Sequence, residues 1–508
     1  MSVGPHLERQ LVSYYLSDNK AQEGHGWLSA RSGAISMATR VLNGVFQVGV
    51  VVCLGRLLSP EDYGLFSMVF AITGSAFVFV DLGTREAIVQ RDRITEGEIA
   101  ALFWNTVAVG FGLTLLVAAS GPFIAWFYAE PRLTRITLVS SLTCATSALS
   151  CQHQALLRRA MRFQRLAVIE VGAGMLSATV AVTMAFHGWH YWALVIRPLA
   201  MSVLIGVGVW LQCHWLPVKP TVTRGVKEMI RFGINIVGFS VTDCFGRSSD
   251  RVVIGKSYGA KGLGHYQNAL IVYDHLLDLL TSLQIVAVPS LSKLLGARGE
   301  LRRLWAKALS MLTFYAMPAF GLMAVTSQDL IVMLLGSKWS TAGVLLSVLA
   351  LRGIPHVVER TMGWLHVAAG RTDRFLRWGA FATLAQLVAL LTGASFGPMG
   401  VVTAHVTFMY VLFVPALAYA GRPLGIGAAD VIKVVGPQLL GAVTAAGFGF
   451  LLRYNLLAET PGLERAILLA LAYSVFYLVV VVGFFRVRMP LTWAVALGRD
   501  LIPVRFVR

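Results

Sequence analysis

Asp243, Arg247, Asp250 and Arg251 sit in one largely apolar stretch at steps of four, seven and eight residues, which lines them along a single helical face. Arg352, His356, Glu359 and Arg360 repeat that spacing, and Arg40, Asn43 and Gln47 make a third stripe. Asp274, His275 and Asp278 make a fourth. The guanidinium groups of Arg40, Arg247, Arg251, Arg352 and Arg360 stay charged and offer forked donors, the pattern that suits phosphate or pyrophosphate oxygens, with Asn43 and Gln47 as neutral ligands beside them. The carboxylates Asp243, Asp250, Asp274, Asp278 and Glu359 suit coupling or gating, by competing for those arginines or by taking up a proton; His356 titrates near neutrality and can do either. The competing reading is that the charges pair, Asp243 with Arg247 and Glu359 with an adjacent arginine, and only lock helices together. Two helices with four ionisable positions each favour a wet central cavity. His366 and His405, each alone in an apolar run, read as packed residues.

The elements that carry these stripes are membrane spans. Of 508 residues, 56% are hydrophobic and 13% charged, and the mean hydropathy is +0.69; a water-soluble chain of this size carries about twice that share of charge. Reading for runs of about 20 apolar residues gives fourteen spans, beginning near Ala34, Leu65, Ala100, Leu133, Leu166, His190, Met229, Leu263, Trp305, Ala342, Arg374, Pro398, Val431 and Glu464. The runs at Met229 and Ala342 are the least apolar. Alternate connections hold 29 Lys and Arg on one side, Arg158, Arg159, Arg162 and Arg165 among them, against 8 on the other, Arg453 and Arg465 among those. The basic side faces the cytoplasm, which places both termini inside. Residues 1–33 are polar and read as a cytoplasmic lead without a cleavable signal, in which Leu7 to Leu16 has the makings of a short interfacial helix. The cytoplasmic arginine clusters also suit anionic phospholipid head groups. Cys53, Cys144, Cys151, Cys213 and Cys244 are scattered without metal or redox spacing and read as small core residues; no cofactor or metal is expected.

The chain resembles itself at an offset of 200 residues. Gly55-Arg56 aligns with Gly255-Lys256, Tyr63-Gly64-Leu65-Phe66 with Leu263-Gly264-His265-Tyr266, Asn43 with Asp243 and Gln47 with Arg247. Two six-span halves in the same orientation imply repeats related by an axis along the membrane normal. The expected fold is all-α and polytopic, with two six-helix lobes in pseudo-two-fold arrangement around a central cavity. Its parts are a lead at 1–33, an N-lobe at 34–212, a linker at 213–231, a C-lobe at 232–420, two extra spans at 421–488 and a cytoplasmic tail at 489–508.

Several motifs resemble those of bacterial Wzx-type polysaccharide flippases of the colanic-acid exporter kind, in the multidrug and oligosaccharidyl-lipid exporter superfamily. They are Leu54-Gly-Arg-Leu-Leu-Ser-Pro-Glu-Asp-Tyr-Gly-Leu-Phe66, Ala129-Glu-Pro-Arg-Leu133, Leu157-Arg-Arg-Ala-Met-Arg-Phe163, Arg231-Phe-Gly-Ile-Asn235, Ser249-Asp-Arg-Val-Val-Ile-Gly-Lys256, Gly262-Leu-Gly-His-Tyr266 and Val288-Pro-Ser-Leu-Ser292. The match covers residues 33 to 310; beyond that it is topological only. The resemblance implies lobes around a cationic cavity in the bacterial inner membrane. It also implies export of undecaprenyl-pyrophosphate-linked oligosaccharide by alternating access, with H+ or Na+ as candidate coupling ions and a polysaccharide polymerase and other assembly proteins as candidate partners.

Three other classes fit less well. The basic residues are dispersed between apolar runs with no aromatic-interleaved basic domain, which argues against nucleic acid. A membrane glycosyltransferase or polymerase needs catalytic residues in sizeable external loops, and the loops here are short. An ion-coupled efflux pump for cationic drugs would meet an arginine-rich cavity of the wrong sign. The reading is therefore a transporter and not an enzyme.

Overall fold

The computed structural model describes residues 44–492 apart from 45, 82, 92–93, 222, 282–297, 369–371 and 491. The lead, Arg40, Asn43, the 288–292 motif and the tail beyond 492 lie outside the described residues, as do the side chains of Asp243 and Cys244. The helices are α1 (Phe46–Leu57), α2 (Pro60–Val80), α3 (Thr84–Gln90), α4 (Glu96–Tyr128), α5 (Arg132–Arg159), α6 (Phe163–Phe186), α7 (Trp192–Gln212) and α8 (Arg224–Thr281). They continue as α9 (Arg298–Leu335), α10 (Ser340–Leu351), α11 (Gly353–Ala368), α12 (Thr372–Gly393), α13 (Gly397–Gly421), α14 (Ala428–Asn455) and α15 (Gly462–Leu478), the last running on into a π-helical turn at Val479–Phe484. No strand occurs among the described residues.

Each predicted span from Leu65 onward falls on one of these helices or on a half of α8, and the described part of the first span is α1. Among the described residues, seven stretches are individually long and apolar enough to cross a membrane, one of them the 48-residue run Arg377–Leu424 that holds most of α12 and all of α13. The helix pair around Arg352 adds an eighth, bent by 44°. The Arg377–Leu424 stretch accounts for two predicted spans, while α5 and the Met229 region of α8 are more polar than the helices that qualify.

Solvent preference is inverted relative to a water-soluble protein. Leu115, Leu116, Trp126, Phe186 and Phe484 are two-thirds or more exposed, while Gln152, Asn268, Thr84 and Thr137 are fully buried. Lipid accepts the apolar exterior, and several of the polar groups inside bond to one another or to backbone carbonyls. Gln152, for example, donates to the Thr106 hydroxyl at 2.9 Å and the Thr84 hydroxyl at 3.2 Å, tying α5 to α3 and α4. Cys144, Cys151 and Cys213 are buried as expected; Cys53 is exposed, because it lies on a face of α1 that no described helix covers.

Helix boundaries follow local chemistry. Ser59 and Asp62 cap α2 reciprocally, with Pro60 in the first turn, and Thr95 and Glu98 do the same for α4. Within α8 a single non-helical residue, Gly259 at φ 66°, separates the predicted spans 7 and 8.

The chain forms two compact units, residues 1–264 and 265–508. In the first, α4 packs along α5, α5 against α7, and α6 against α7. The first unit also holds a contact that bears on the internal repeat. A Cβ placed on Gly64 would lie 1.7 Å from the Ala260 carbonyl oxygen, and one on Gly264 would lie 1.6 Å from that of Pro60. Residues 60 and 64 therefore meet residues 260 and 264 reciprocally, at the offset of 200 along the sequence. A contact in which i touches j and the equivalent of j touches the equivalent of i is the mark of a two-fold relation. In the second unit, α9 is the central member, packing on α10, α11, α14 and α15, while α12 packs on α13 and α13 on α11.

Candidate functional site

The candidate residues fall into separate groups in the two units. In the second unit they gather around a residue that sequence reasoning did not select, Tyr273 on the second half of α8, which is fully buried. Its hydroxyl shares a 2.8 Å hydrogen bond with His356 Nδ1, and the two rings stack with centroids 6.2 Å apart. The Arg352 guanidinium lies over the same ring at 5.4 Å. Arg352, Asp274, Arg360 and Glu359 all act on Tyr273 electrostatically, and Arg352 acts on buried His405 as well. Of the predicted residues, His356 and Arg352 thus touch one phenol, and Asp274, Arg360 and the exposed Glu359 act on it electrostatically. Asp278, one turn beyond Asp274, is exposed. His366 and His405 are buried, His366 stacked on Phe375, as packed residues should be.

The helices are shaped to make this convergence. Pro355 lacks the N–H that would bond the Leu351 carbonyl, so the run breaks at Arg352 into α10 and α11. The stranded Leu351 carbonyl accepts instead from the Tyr410 hydroxyl of α13 at 3.1 Å. Gly353 permits the bend to close, since a Cβ there would come within 2.2 Å of the Phe320 ring of α9. Phe320 in turn supports Tyr273, with ring centroids 5.4 Å apart. The bend therefore aims Arg352, at the break, and His356, one turn later, at the same ring. With His356 neutral, the two arginines and two carboxylates balance; a proton on His356 adds one positive charge beside the buried Tyr273 ring.

In the first unit, Gln47 on α1 accepts a 2.6 Å hydrogen bond from Arg197 Nη2 on α7, and Arg197 also acts on buried Tyr63 of α2. Arg197 is a further functional candidate missing from the stripes read in the sequence. The signal was there, since it is the single charged residue within the apolar run Trp192–Gln212. On α8, Arg247 is exposed, Asp250 is buried, and the Asp250 carboxylate accepts from the Arg251 backbone N–H at 2.7 Å.

Charged groups at the helix ends do a different job. Arg159 donates to the Ile88 carbonyl at 2.7 Å and also to that of Arg91, fastening α5 to the end of α3. Arg132 bridges Glu130 at 2.8 Å and Glu61 at 2.6 Å, joining the α4–α5 turn to the start of α2. The Arg132 hydrogen bonds hold the Glu130 carboxyl below its usual range.

Helices of this length and apolarity, with exposed apolar faces and polar groups clustered inside, define a multi-pass, all-helical membrane protein. A solved structure titled "Lipid II flippase MurJ, inward closed conformation" has the same fold, with a TM-score of 0.71 and 14% identity over 89% of this chain and 99% of that one. The family model described as "Polysaccharide biosynthesis protein" matches residues 53–343, more than half of the chain, and the chain belongs to that family. Among curated relatives, the "Teichuronic acid biosynthesis protein TuaB" of Bacillus subtilis is 27% identical over 70% of this chain and 74% of its own length. The "Lipopolysaccharide biosynthesis protein WzxC" of Escherichia coli is 24% identical over 72% of this chain and 75% of its own.

Proposed function

We propose that this chain translocates polyprenyl-pyrophosphate-linked oligosaccharide across the bacterial inner membrane for surface or exopolysaccharide assembly, and that it does so as a transporter rather than as an enzyme. The observation that carries the reading is the seating of His356 and Arg352 on the buried Tyr273, with Arg360, Asp274 and Glu359 acting on the same group electrostatically. Ionisable groups at that depth mark a substrate or ion path. Membership of a polysaccharide biosynthesis family, together with a fold also used by a lipid-linked precursor flippase, supports the cargo.

In this reading Arg40, Asn43, Gln47, Arg247, Arg251, Arg352 and Arg360 bind the pyrophosphate, with Arg197 holding Gln47. The carboxylates Asp243, Asp250, Asp274, Asp278 and Glu359 and the imidazole of His356 release it or couple the step to H+ or Na+. The lobes at 34–212 and 232–420 rock about the repeat axis, the spans at 421–488 are an appendage, and both termini are cytoplasmic. The reciprocal crossing of residues 60 and 64 with 260 and 264 supports such an axis and belongs to one of the two end states.

The test follows lipid-linked oligosaccharide in membranes of a strain depleted of this protein. The expected result is accumulation on the cytoplasmic face, relieved by the intact chain and not by Arg247→Ala or His356→Ala variants that insert normally. Unchanged lipid-linked sugars on depletion would refute the cargo.

A further inference from the structure

The connection from α7 to α8, residues 213–223, holds no helix or strand among the described residues, yet it is fastened to the first unit at three points. Trp215 is 2% exposed. Its ring stands edge-on to Phe103 of α4 and His153 of α5, with centroids 5.9 and 5.4 Å apart, and its carbonyl accepts from His153 Nε2 at 3.2 Å. Thr221 donates its backbone N–H to the Gly97 carbonyl at 3.0 Å. The Thr223 hydroxyl donates to Glu98 Oε1 at 2.6 Å.

That last bond joins two helix starts. Thr223 directly precedes α8, and its hydroxyl oxygen accepts the Val226 N–H at 3.3 Å, which makes it the N-cap of that helix. The other Glu98 carboxylate oxygen accepts the Thr95 N–H at 3.0 Å and so closes the start of α4. One carboxylate, 8% exposed, therefore serves both starts, where the positive ends of the helix dipoles favour it. Val226 and Met229, in the first two turns of α8, are buried in the same apolar core as Trp215 and Phe103.

α4 and α8 meet again at their far ends, since Phe127 lies 32 residues after Thr95 and Lys256 lies 33 after Thr223. There the exposed Lys256 ammonium donates to the Phe127 carbonyl and stands 5.0 Å from the centre of its ring. The remaining contacts at that end are those of glycines, Gly255 against the Tyr128 ring and Gly64 against the Ala260 carbonyl. Water can replace the carbonyl at an exposed ammonium, and a glycine contact interlocks no side chain of its own. The near junction is different, with a buried carboxylate, a helix cap and a tryptophan keyed into an aromatic pocket.

We propose that residues 213–223 are a strap that fixes the start of α8, with Glu98 as its clasp, so that α8 moves by swinging about Thr223 and parts from its neighbours at the Lys256 end. At 1.5 Å per residue Arg247 stands about 36 Å from that pivot and Lys256 about 50 Å, so each degree of swing carries them by about 0.6 and 0.9 Å. The stripe of Arg247, Asp250 and Arg251 is displaced while the start of its own helix stays in place. A connection that reads as a free linker in the sequence thus sets the fulcrum, whatever the cargo.

The test uses the purified full-length chain in lipid nanodiscs, with pairs of spin labels at exposed positions read by pulsed electron resonance. Lys219 of the strap with Gln164 of α6 reports the pivot, and Ser257 of α8 with Arg135 of α5 reports the far end. Gly64→Ala combined with Lys256→Ala removes both far-end holds. It should shift the Ser257–Arg135 distance by several ångströms and leave the Lys219–Gln164 distance as it is. Thr223→Val keeps the shape and removes the hydroxyl, and Glu98→Gln leaves one acceptor oxygen to serve two helix starts; both should broaden the Lys219–Gln164 distribution, and Thr223→Ser should not. A Lys219–Gln164 distance that follows the far-end variant would mean that α8 moves as a whole and would overturn the proposal. So would a Ser257–Arg135 distance unmoved by that variant, or a Thr223→Val chain indistinguishable from Thr223→Ser.

Discussion

Replacing Gly64 with alanine tests the link between the repeat contact and transport. The added Cβ would sit 1.7 Å from the Ala260 carbonyl oxygen, where real Cβ contacts essentially never fall below 3.0 Å, and the obstacle is backbone rather than a movable side chain. The two helices must separate locally by at least the 1.3 Å difference. Overpacking of this kind costs about 1–3 kcal/mol, charged only to the state in which the helices touch. The population of that state falls by roughly 5- to 150-fold, while the state in which they are apart is untouched. Spin labels at Glu61 and Lys261, repeat-related positions on the two helices, would report the shift as loss of the shorter distance in pulsed electron resonance. Transport should fall with it, because a cycle that must visit both states slows when one is rarely occupied. Gly264→Ala, which faces the Pro60 carbonyl at 1.6 Å, should give the same result. If Gly64→Ala leaves both the distance distribution and transport unchanged, the crossing is not a state-specific contact and the argument fails.

Three further outcomes are expected. Tyr410→Phe removes the hydroxyl that serves the Leu351 carbonyl at the bend and should cost about 1 kcal/mol in thermal or denaturant unfolding. Asp329→Ala leaves the buried Arg453 charge uncompensated and should cost about 3–5 kcal/mol, measured the same way, whereas Asp329→Ala with Arg453→Met should recover much of it. Glu130 is held below its usual carboxylate range by Arg132, so its contribution is present above the unfolded-state value and is lost as pH falls through the lower folded-state one. Because the pair is largely exposed, Glu130→Gln should change stability at neutral pH by well under about 1 kcal/mol and flatten the acid limb of the profile.

What could be read from sequence is what local chemistry encodes. Runs of apolar residues locate the helices, α5 among them despite its polar composition, and the alternation of basic connections supports their count. The breaks were only half visible. Gly259 falls between two predicted spans with nothing in the pattern to mark it, whereas Pro355, within the predicted Ala342 span, is a sufficient reason for the bend at Arg352. The spacing of Arg352, His356, Glu359 and Arg360 reads as one helical face. Their common neighbour Tyr273 was out of reach, because the His356 bond joins residues 83 positions apart and no periodicity carries that information. Arg453 and Arg465 read as loop charges for the same reason. Their partner Asp329 stands more than 120 residues earlier and turns Arg453 into a buried group.

The crossing of residues 60 and 64 with 260 and 264 has a historical reading as well. It is the interface that two copies of a half-length chain would share if each used the same patch on the other. In one fused chain the two patches are free to diverge in side chains, as Pro60 and Ala260 already have, yet neither glycine position gains that freedom. Each glycine is held small by the backbone of the opposite repeat, so a substitution in one half is judged by the other. Divergence between the halves should accordingly be lowest where they touch their own image and highest on the faces that touch only lipid.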